Sequence, residues 1–294
     1  MEELADFRLR LENSYPNLTK SERSIASYLL ASHDEAAFLS AAELARRLNV
    51  SEATVVRFAK TVGYDGFPSL RRELQSIFRV KTTPAMRLQH KLEELGSGQG
   101  HVFTKMVEME VDYLTEALHS IQPADFDRAV EILVRAERVF TFAMGPSRML
   151  AELAELRLRR FGVMCLAMTA SGRDLVETMQ LLRKEDVLLA TGFQRVTPEL
   201  MAVVDCAHAI GCPVILITDT LQTHFRDLAD VILAARRGPV STFHSLTVPM
   251  SIMNSLILSI AMARPQQSLA ALERLEQLRA AYGLDTLSKA ADGR

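Results

Sequence analysis

Thr54, Arg57 and Thr61 stand at i, i+3 and i+7 within LSAAELARRLNVSEATVVRFAKT, residues 39–61. On a helix this spacing gathers them on one face, opposite Val55 and Phe58. The chemistry such a face can do is recognition. An arginine fork can donate to O6 and N7 of one guanine, a threonine can reach a neighbouring base edge, and Val56 can pack on a thymine methyl. Ser51 and Lys60 flank the face and suit phosphate oxygens, which position a protein on a duplex without specifying sequence. The helix N-terminus adds a partial positive charge beside Ser51. Glu52 suits that helix end but repels phosphate unless it points aside or accepts from cytosine N4. The competing reading is a three-helix subdomain with a solvated basic face.

A second group of residues has the chemistry of a small-anion site. Ala143-Met144-Gly145-Pro146-Ser147 and Thr191-Gly192-Phe193-Gln194-Arg195-Val196-Thr197-Pro198-Glu199 each follow a β-rich run. Ser147 can hydrogen-bond a ligand oxygen where a helix opens, or simply cap that helix. Arg195 offers a fork for phosphate or carboxylate, or is a solvated charge or an interface partner. Thr197 reads first as an N-cap, with Pro198 at the first helical position and Glu199 in the first turn. Gly145, Gly192 and Gln194 complete the ligand-binding candidates of the two loops. His224 and His244 fall near loop or helix ends and read most simply as surface or locally bonded side chains, although a second subunit can bring His244 to a ligand. Ser171-Gly172, followed by Arg173 and Asp174, is a candidate for the rim.

Catalysis finds less support. Aldose–ketose isomerisation needs a base beside a carbonyl. His224, Glu199, Asp219 or His244 could serve, but nothing ties any of them to a partner, so no catalytic residue is assigned. The chain has no GxGxxG, no GxxxxGKS or GxxxxGKT, no HExxH and no close Cys/His cluster, so neither cofactor nor metal is expected. Cys165, Cys206 and Cys212 form an odd set in or beside apolar runs, without a CxxC pair. They read as core residues of a protein in a reducing cytoplasm.

The elements that must position these residues follow from periodicity. A helix opens at Thr19 or Ser21, with Ile25, Tyr28, Leu29 and Ser32 on one face. Ala41, Leu44, Ala45 and Leu48 mark a short packed helix. Asn49-Val50-Ser51 is the turn, and Ser51 caps the next helix, which Gly63 ends. Asp65-Gly66-Phe67-Pro68 reads as a turn and Ser69–Val80 as a helix. Residues 81–100 read as a flexible junction, rich in Gly and Ser near its end, followed by a helix over 101–120. From Asp125 short apolar runs alternate with helical stretches. Strands are expected at Val139–Ala143, Val163–Ala167, Val187–Ala190, Val214–Thr218 and Val231–Ala234, with helices at Arg148–Phe161, Asp174–Leu182, Thr197–Ile210 and Phe225–Ala229. Such alternation requires parallel pairing. The expected fold is an α-helical helix-turn-helix domain over 1–80, a linker and connecting helix over 81–120, and a doubly wound α/β domain with a five-stranded parallel sheet over 121–294. Ligands of such sheets sit beyond the carboxyl ends of the strands.

Charge is placed where the polar helix face needs it. The formal net charge is only −2, yet residues 37–81 carry eight basic side chains against four acids, a local footprint for a polyanion. The N-terminus is charged and lacks an apolar signal core. The apolar run 246–263 is broken by Pro249, Ser251, Asn254, Ser255 and Ser259 and reads as a buried or subunit-interface helix rather than a membrane span.

LTKSERSIASYLL, and above all VSEATVVRF followed by GYDGF, closely resemble the N-terminal helix-turn-helix of RpiR-type bacterial transcriptional regulators. The second half resembles the sugar-isomerase-type (SIS) domain that these regulators carry. The resemblance implies a homodimeric or homotetrameric DNA-binding regulator with a double-stranded operator, no membrane association, and an α/β half that senses a small anionic effector such as a phosphosugar or related sugar acid. In place of the family's Gly-x-Gly-x-Ser loop this chain has Ala143 through Ser147, keeping Gly145 and Ser147. In place of Ser-x-Ser-Gly-x-Thr it has Thr191 through Glu199, with Gly192 where a serine is usual, which departs from the standard phosphosugar cradle and is more similar to the RpiR variant with an aromatic and an arginine in this loop. The alternatives are a phosphosugar isomerase-type enzyme and a regulator whose SIS-like domain serves only oligomerisation.

Overall fold

The computed structural model describes residues 2–31, 36–37, 39–81, 85, 88–89, 92, 102–219, 221–235, 237 and 244–284. These divide into two compact units between residues 92 and 102. Most of the expected junction, and Ser32, lie outside the described residues.

The first unit is helical: α1 (Glu2–Ser14), α2 (Lys20–Ala31), α3 (Ala41–Leu48), α4 (Glu52–Thr61) and α5 (Phe67–Lys81). Its core is built from i, i+4 pairs, one helical turn apart: Phe7 and Leu11, Ile25 and Leu29, Leu70 and Leu74, together with Leu44, Val55 and Phe58. The helix α1 was not expected from the charged N-terminus; Phe7 and Leu11 are its buried residues among those described. The helix α5 starts two residues before the expected Ser69. Pro68 sits in its first turn, where a missing N–H costs nothing, and Ser69 and Leu70 donate to the Gly66 carbonyl at 3.2 and 3.3 Å.

The second unit runs α6 (Val102–Ser120), α7 (Pro123–Arg135), β1 (Val139–Ala143), α8 (Arg148–Arg160), β2 (Cys165–Met168), α9 (Gly172–Met179), β3 (Val187–Thr191), α10 (Pro198–Ala209), β4 (Val214–Thr218), α11 (Gln222–Phe225), β5 (Val231–Ala234), α12 (Thr247–Ala263) and α13 (Pro265–Ala281). The five strands form one parallel sheet in the order β2-β1-β3-β4-β5. The central strands β1, β3 and β4 are buried along their whole length, which is why they read as continuous apolar runs rather than alternations. One sheet face packs Val139, Leu189 and Ile217 against α8 and α12, and the other packs Phe142, Leu188 and Leu216 against α10. The helix α6 belongs to this unit, with Ala117 in its core and Tyr113 and Leu114 against it.

The strand β2 begins at Cys165 rather than Val163. Gly162, at φ +74°, turns the chain out of α8, and the Val163 N–H still closes that helix on the Leu158 carbonyl at 3.0 Å. Residues 180–182 turn instead of extending α9, and α11 precedes rather than spans 226–229. The apolar run 247–263 is a helix whose Ile252, Met253, Leu256, Ile257 and Ile260 are buried. No single described helix is long and apolar enough to cross a membrane. At the amino end of the sheet Arg138 grips Asp186 with both atoms of its fork, Nε to Oδ1 at 2.8 Å and Nη2 to Oδ2 at 2.7 Å. Burial pushes the Cys165 and Cys212 thiols up to about 12, so both are packing residues.

Candidate nucleic-acid interface and ligand site

The helix α3 is fixed at its start by a capping box. Ser40 N–H donates to the Glu43 carboxylate at 2.7 Å and Glu43 N–H to the Ser40 hydroxyl at 3.2 Å. The Ser40 hydroxyl and then its N–H hold the Glu43 carboxyl below the usual range. Asn49 then adopts φ +52°, a conformation asparagine tolerates, and Val50 N–H returns to the Ala45 carbonyl at 3.0 Å. Three residues later the chain is already helical again, as the sequence requires.

Ser51 caps α4 by accepting from Thr54 N–H at 3.1 Å, and its hydroxyl lies 2.8 Å from the Thr54 hydroxyl. Arg57 Nη2 donates to that Thr54 oxygen at 3.4 Å. Ser51, Thr54 and Arg57 therefore form one hydrogen-bonded row up α4. Ser51, Arg57, Lys60 and Thr61 are exposed, while Thr54 and Val56 are half-buried, Val56 leaning on the core. Thr61 has a second engagement: its hydroxyl lies within reach of Glu22 Oε1 at 3.3 Å and the Arg57 carbonyl at 3.1 Å. Glu22 is buried and closes a capping box with Thr19, whose N–H and hydroxyl both donate to Oε2 at 2.9 and 2.8 Å. The Thr19 N–H is the chief reason the Glu22 carboxyl sits below its usual range. Thr61 thus ties the end of α4 to the start of α2, a role the face-counting of the sequence could not show.

In the second unit the loops after β1, β3, β4 and β5 share one edge of the sheet, and strand order reverses between β1 and β3, the place where such sheets open a crevice. Gly145, at φ +56°, starts a tight turn over Gly145–Ser147 that delivers the chain to α8. Ser147 is buried and makes no side-chain cap bond to α8. Across the crevice Gly192 N–H continues the ladder to the Ile217 carbonyl at 3.1 Å. A Cβ on Gly192 would lie 2.3 Å from Leu200 Cδ2, so its glycine lets α10 approach β3. Gln194 takes φ +69° and donates its N–H to Asp219 Oδ1 at 3.1 Å. Thr197 caps α10 on Leu200 N–H at 3.2 Å. Arg195 is exposed.

Among the described residues the buried cation of this edge is Arg237, three residues past β5. It stacks 3.6 Å from the Phe193 ring centroid and donates from Nη2 to Asp219 Oδ2 at 3.1 Å. Its Nε and the buried Thr218 hydroxyl have no hydrogen-bond partner among the described residues. Sequence reasoning weighed Asp219 only as a base and passed over Arg237. The available signal was a charged pair, Arg236-Arg237, directly after a buried strand run. His244 is half-buried in the connection entering α12, whereas His224, Ser171, Arg173 and Asp174 are exposed. Gly172 opens α9 at φ +61°.

Comparison with known proteins matches residues 6–80 to the helix-turn-helix domain of the rpiR family and residues 132–259 to the SIS domain. A Haemophilus influenzae protein described as an uncharacterized HTH-type transcriptional regulator is 28% identical over 227 residues, covering 76% of this chain and 77% of its own. Among solved structures, the sugar isomerase domain of an RpiR transcription factor from Sphaerobacter thermophilus aligns at 25% identity and a TM-score of 0.57, covering 60% of this chain and 99% of that one. The Vibrio vulnificus NanR protein, complexed with ManNAc-6P, shares the fold over 94% of this chain and 98% of its own, at 21% identity and a TM-score of 0.57.

Proposed function

Because this chain belongs to the RpiR-type transcriptional regulators that carry a SIS domain, we propose that α4 reads a double-stranded operator and that the strand-end crevice senses a small anionic effector, a phosphosugar or related sugar acid. The observation that carries the first half is the Ser51–Thr54–Arg57 row, held together by its own hydrogen bonds yet facing outward. A preordered side chain loses less entropy when it meets a base edge. Ser51 and Lys60 take phosphates, Thr54 and Arg57 take base edges, and Val56 adds a methyl contact. Thr61 contributes from the rim, its hydroxyl already engaged by Glu22.

The second half rests on a buried arginine, a buried serine that caps nothing, and an αL loop residue held by a carboxylate, all at one sheet edge. In this reading Gly145, Ser147, Gly192 and Gln194 frame the crevice, Thr197 caps the helix that follows the β3 loop, and Arg195 and His244 are further candidate ligand contacts. That NanR is complexed with ManNAc-6P supports a sugar-derived anion. An effector changes DNA affinity only if it binds the two DNA-affinity states unequally. We further propose that the protein acts as a homodimer or homotetramer in the cytoplasm and does no catalysis. The test is footprinting of the DNA upstream of its own gene with the full-length protein, with and without sugar phosphates and sugar acids. Protection that at least one of these ligands alters is the expected result. Absence of protection under any condition overturns operator reading. Protection indifferent to every ligand leaves the second unit as an oligomerisation module.

A further inference from the structure

Two arginine–carboxylate pairs in the second unit differ in one respect. Arg138 uses the full side edge of its guanidinium, Nε and Nη2, on the two oxygens of Asp186. Arg237 donates from Nη2 to Asp219 Oδ2, while Asp219 Oδ1 accepts from the Gln194 N–H. Its Nε is buried and has no partner among the described residues. A buried N–H without an acceptor has lost its water and gained nothing in return. At the last position of β4 the buried Thr218 hydroxyl likewise has no partner among the described residues. The first pair is closed and structural, at the amino end of the sheet. The second is half open, at the carboxyl end where ligands of this architecture bind.

We propose that the open half of the Arg237 fork is the anion-recognition element of the effector site, and that it takes the carboxylate of a small polyhydroxy acid. This rests on the effector-sensing reading above and names the ligand class. A ligand oxygen at Nε completes the fork that Asp219 leaves half used, and Asp219 accepts from a ligand hydroxyl. Charge selects the carboxylate over a phosphate ester. A carboxylate adds about −1 to this buried site, whereas a phosphate ester adds about −1.5 to −2. No second buried cation compensates among the described residues, since Arg195 is exposed. Gly192 gives the β3 loop no hydroxyl for a phosphate oxygen at that position. The ends of β1 and β4 lie two strand spacings apart, roughly 10 Å, so an acid of four to six carbons can also reach Ser147.

The experiment is calorimetric titration of the full-length protein with four- to six-carbon aldonic and uronic acids, their neutral parent sugars, glucose 6-phosphate and inorganic phosphate. Operator binding is measured on the same preparations. At least one acid binds about tenfold more tightly than its neutral parent and than glucose 6-phosphate. Arg237→Lys keeps the charge but lacks the planar fork, and it weakens that acid about tenfold. If Arg237→Lys unfolds, the double variant Arg237→Gln with Asp219→Asn, which buries no charge, shows the same loss. Preference for the phosphate ester, or acid binding untouched by the folded variant, overturns the proposal. So does a flat response to every acid at millimolar concentration. If sugar phosphates bind and shift operator affinity while acids do not, this inference falls and the regulator reading stands. If acids bind and no operator is bound, the reverse holds.

Discussion

Arg57 shows what a single side chain can disclose in a sequence and what it withholds. Its position opposite Val55 and Phe58 was legible from spacing, and the structure exposes it. Its hydrogen bond to Thr54 was not, because a helical wheel does not say which polar neighbours bond each other. Removing it is expected to weaken specific operator binding by about 1–3 kcal/mol and to relax preference at one base pair, read by anisotropy titrations on operator variants. An unchanged preference would take Arg57 out of base readout. Thr61 and Glu22, thirty-nine positions apart, could not be connected from the sequence, and neither could Arg237 and Phe193. These are tertiary pairs, with no local period to announce them. Glu22 gives a pH prediction. Its carboxyl is held below its ordinary value of 4.5, so its stabilisation is fully present above that value and is lost as pH falls through the folded one. Glu22→Gln keeps the capping acceptor and removes only the charge, so it is expected to cost about 0.3–1 kcal/mol near neutrality. The difference from the parent protein should close in urea melts taken at progressively lower pH below 4.5. A gap that stays constant with pH would mean that the carboxylate charge is not what matters.

At the scale of elements, strands were easier to read than helices. Burial on both faces forces unbroken apolar runs, and β1, β4 and β5 stand where those runs predict. Among the helices not expected, α7 carried a readable stripe, Phe126, Ala129, Val130 and Leu133 at i, i+3, i+4 and i+7, whereas α1 and α13 show little apolar periodicity. In α13 the buried residue is Ser268 rather than a large apolar one, so hydrophobic periodicity has little to show. Gly192 illustrates a different limit. The sequence presents it as a hydroxyl missing from a phosphate cradle, whereas the structure explains it by the packing of α10 on β3. A Cβ there meets Leu200 Cδ2 at 2.3 Å, and Leu200 is buried. Gly192→Ser is accordingly expected to destabilise the second unit by about 1–3 kcal/mol through overpacking. Shortening Leu200 to Ala in the same chain should recover part of that loss, making the two changes non-additive in chemical denaturation. Purely additive losses would mean that the helix does not rest on this glycine.

The whole molecule must satisfy a requirement that neither unit meets alone. A single reading helix binds DNA weakly, and regulators of this kind gain affinity by presenting two at half-sites about one helical turn, roughly 34–36 Å, or a multiple of it apart. The second unit carries a surface suited to bringing two copies together. Along α6, Phe103, Val107, Val111 and Leu118 are all exposed, Phe103 and Leu118 at 78% and 80%. The spacing of four, four and seven keeps them near one stripe of the helix, which Leu114 shares although it packs against the core with Tyr113 and Ala117. An apolar stripe of this length is unusual on a monomer's surface. Burying it between copies would remove the cost of its exposure, at about 25 cal/mol for each Å² covered. Val111→Glu with Leu118→Glu is therefore expected to lower the mass seen by sedimentation velocity without shifting the thermal melt of the sheet. It should also weaken binding to a two-half-site operator far more than binding to one half-site, because only the former needs both copies. If the double variant keeps the parent's mass, α6 is not the contact. If it becomes monomeric and still binds the full operator as tightly, dimerisation is not what joins the two reading helices.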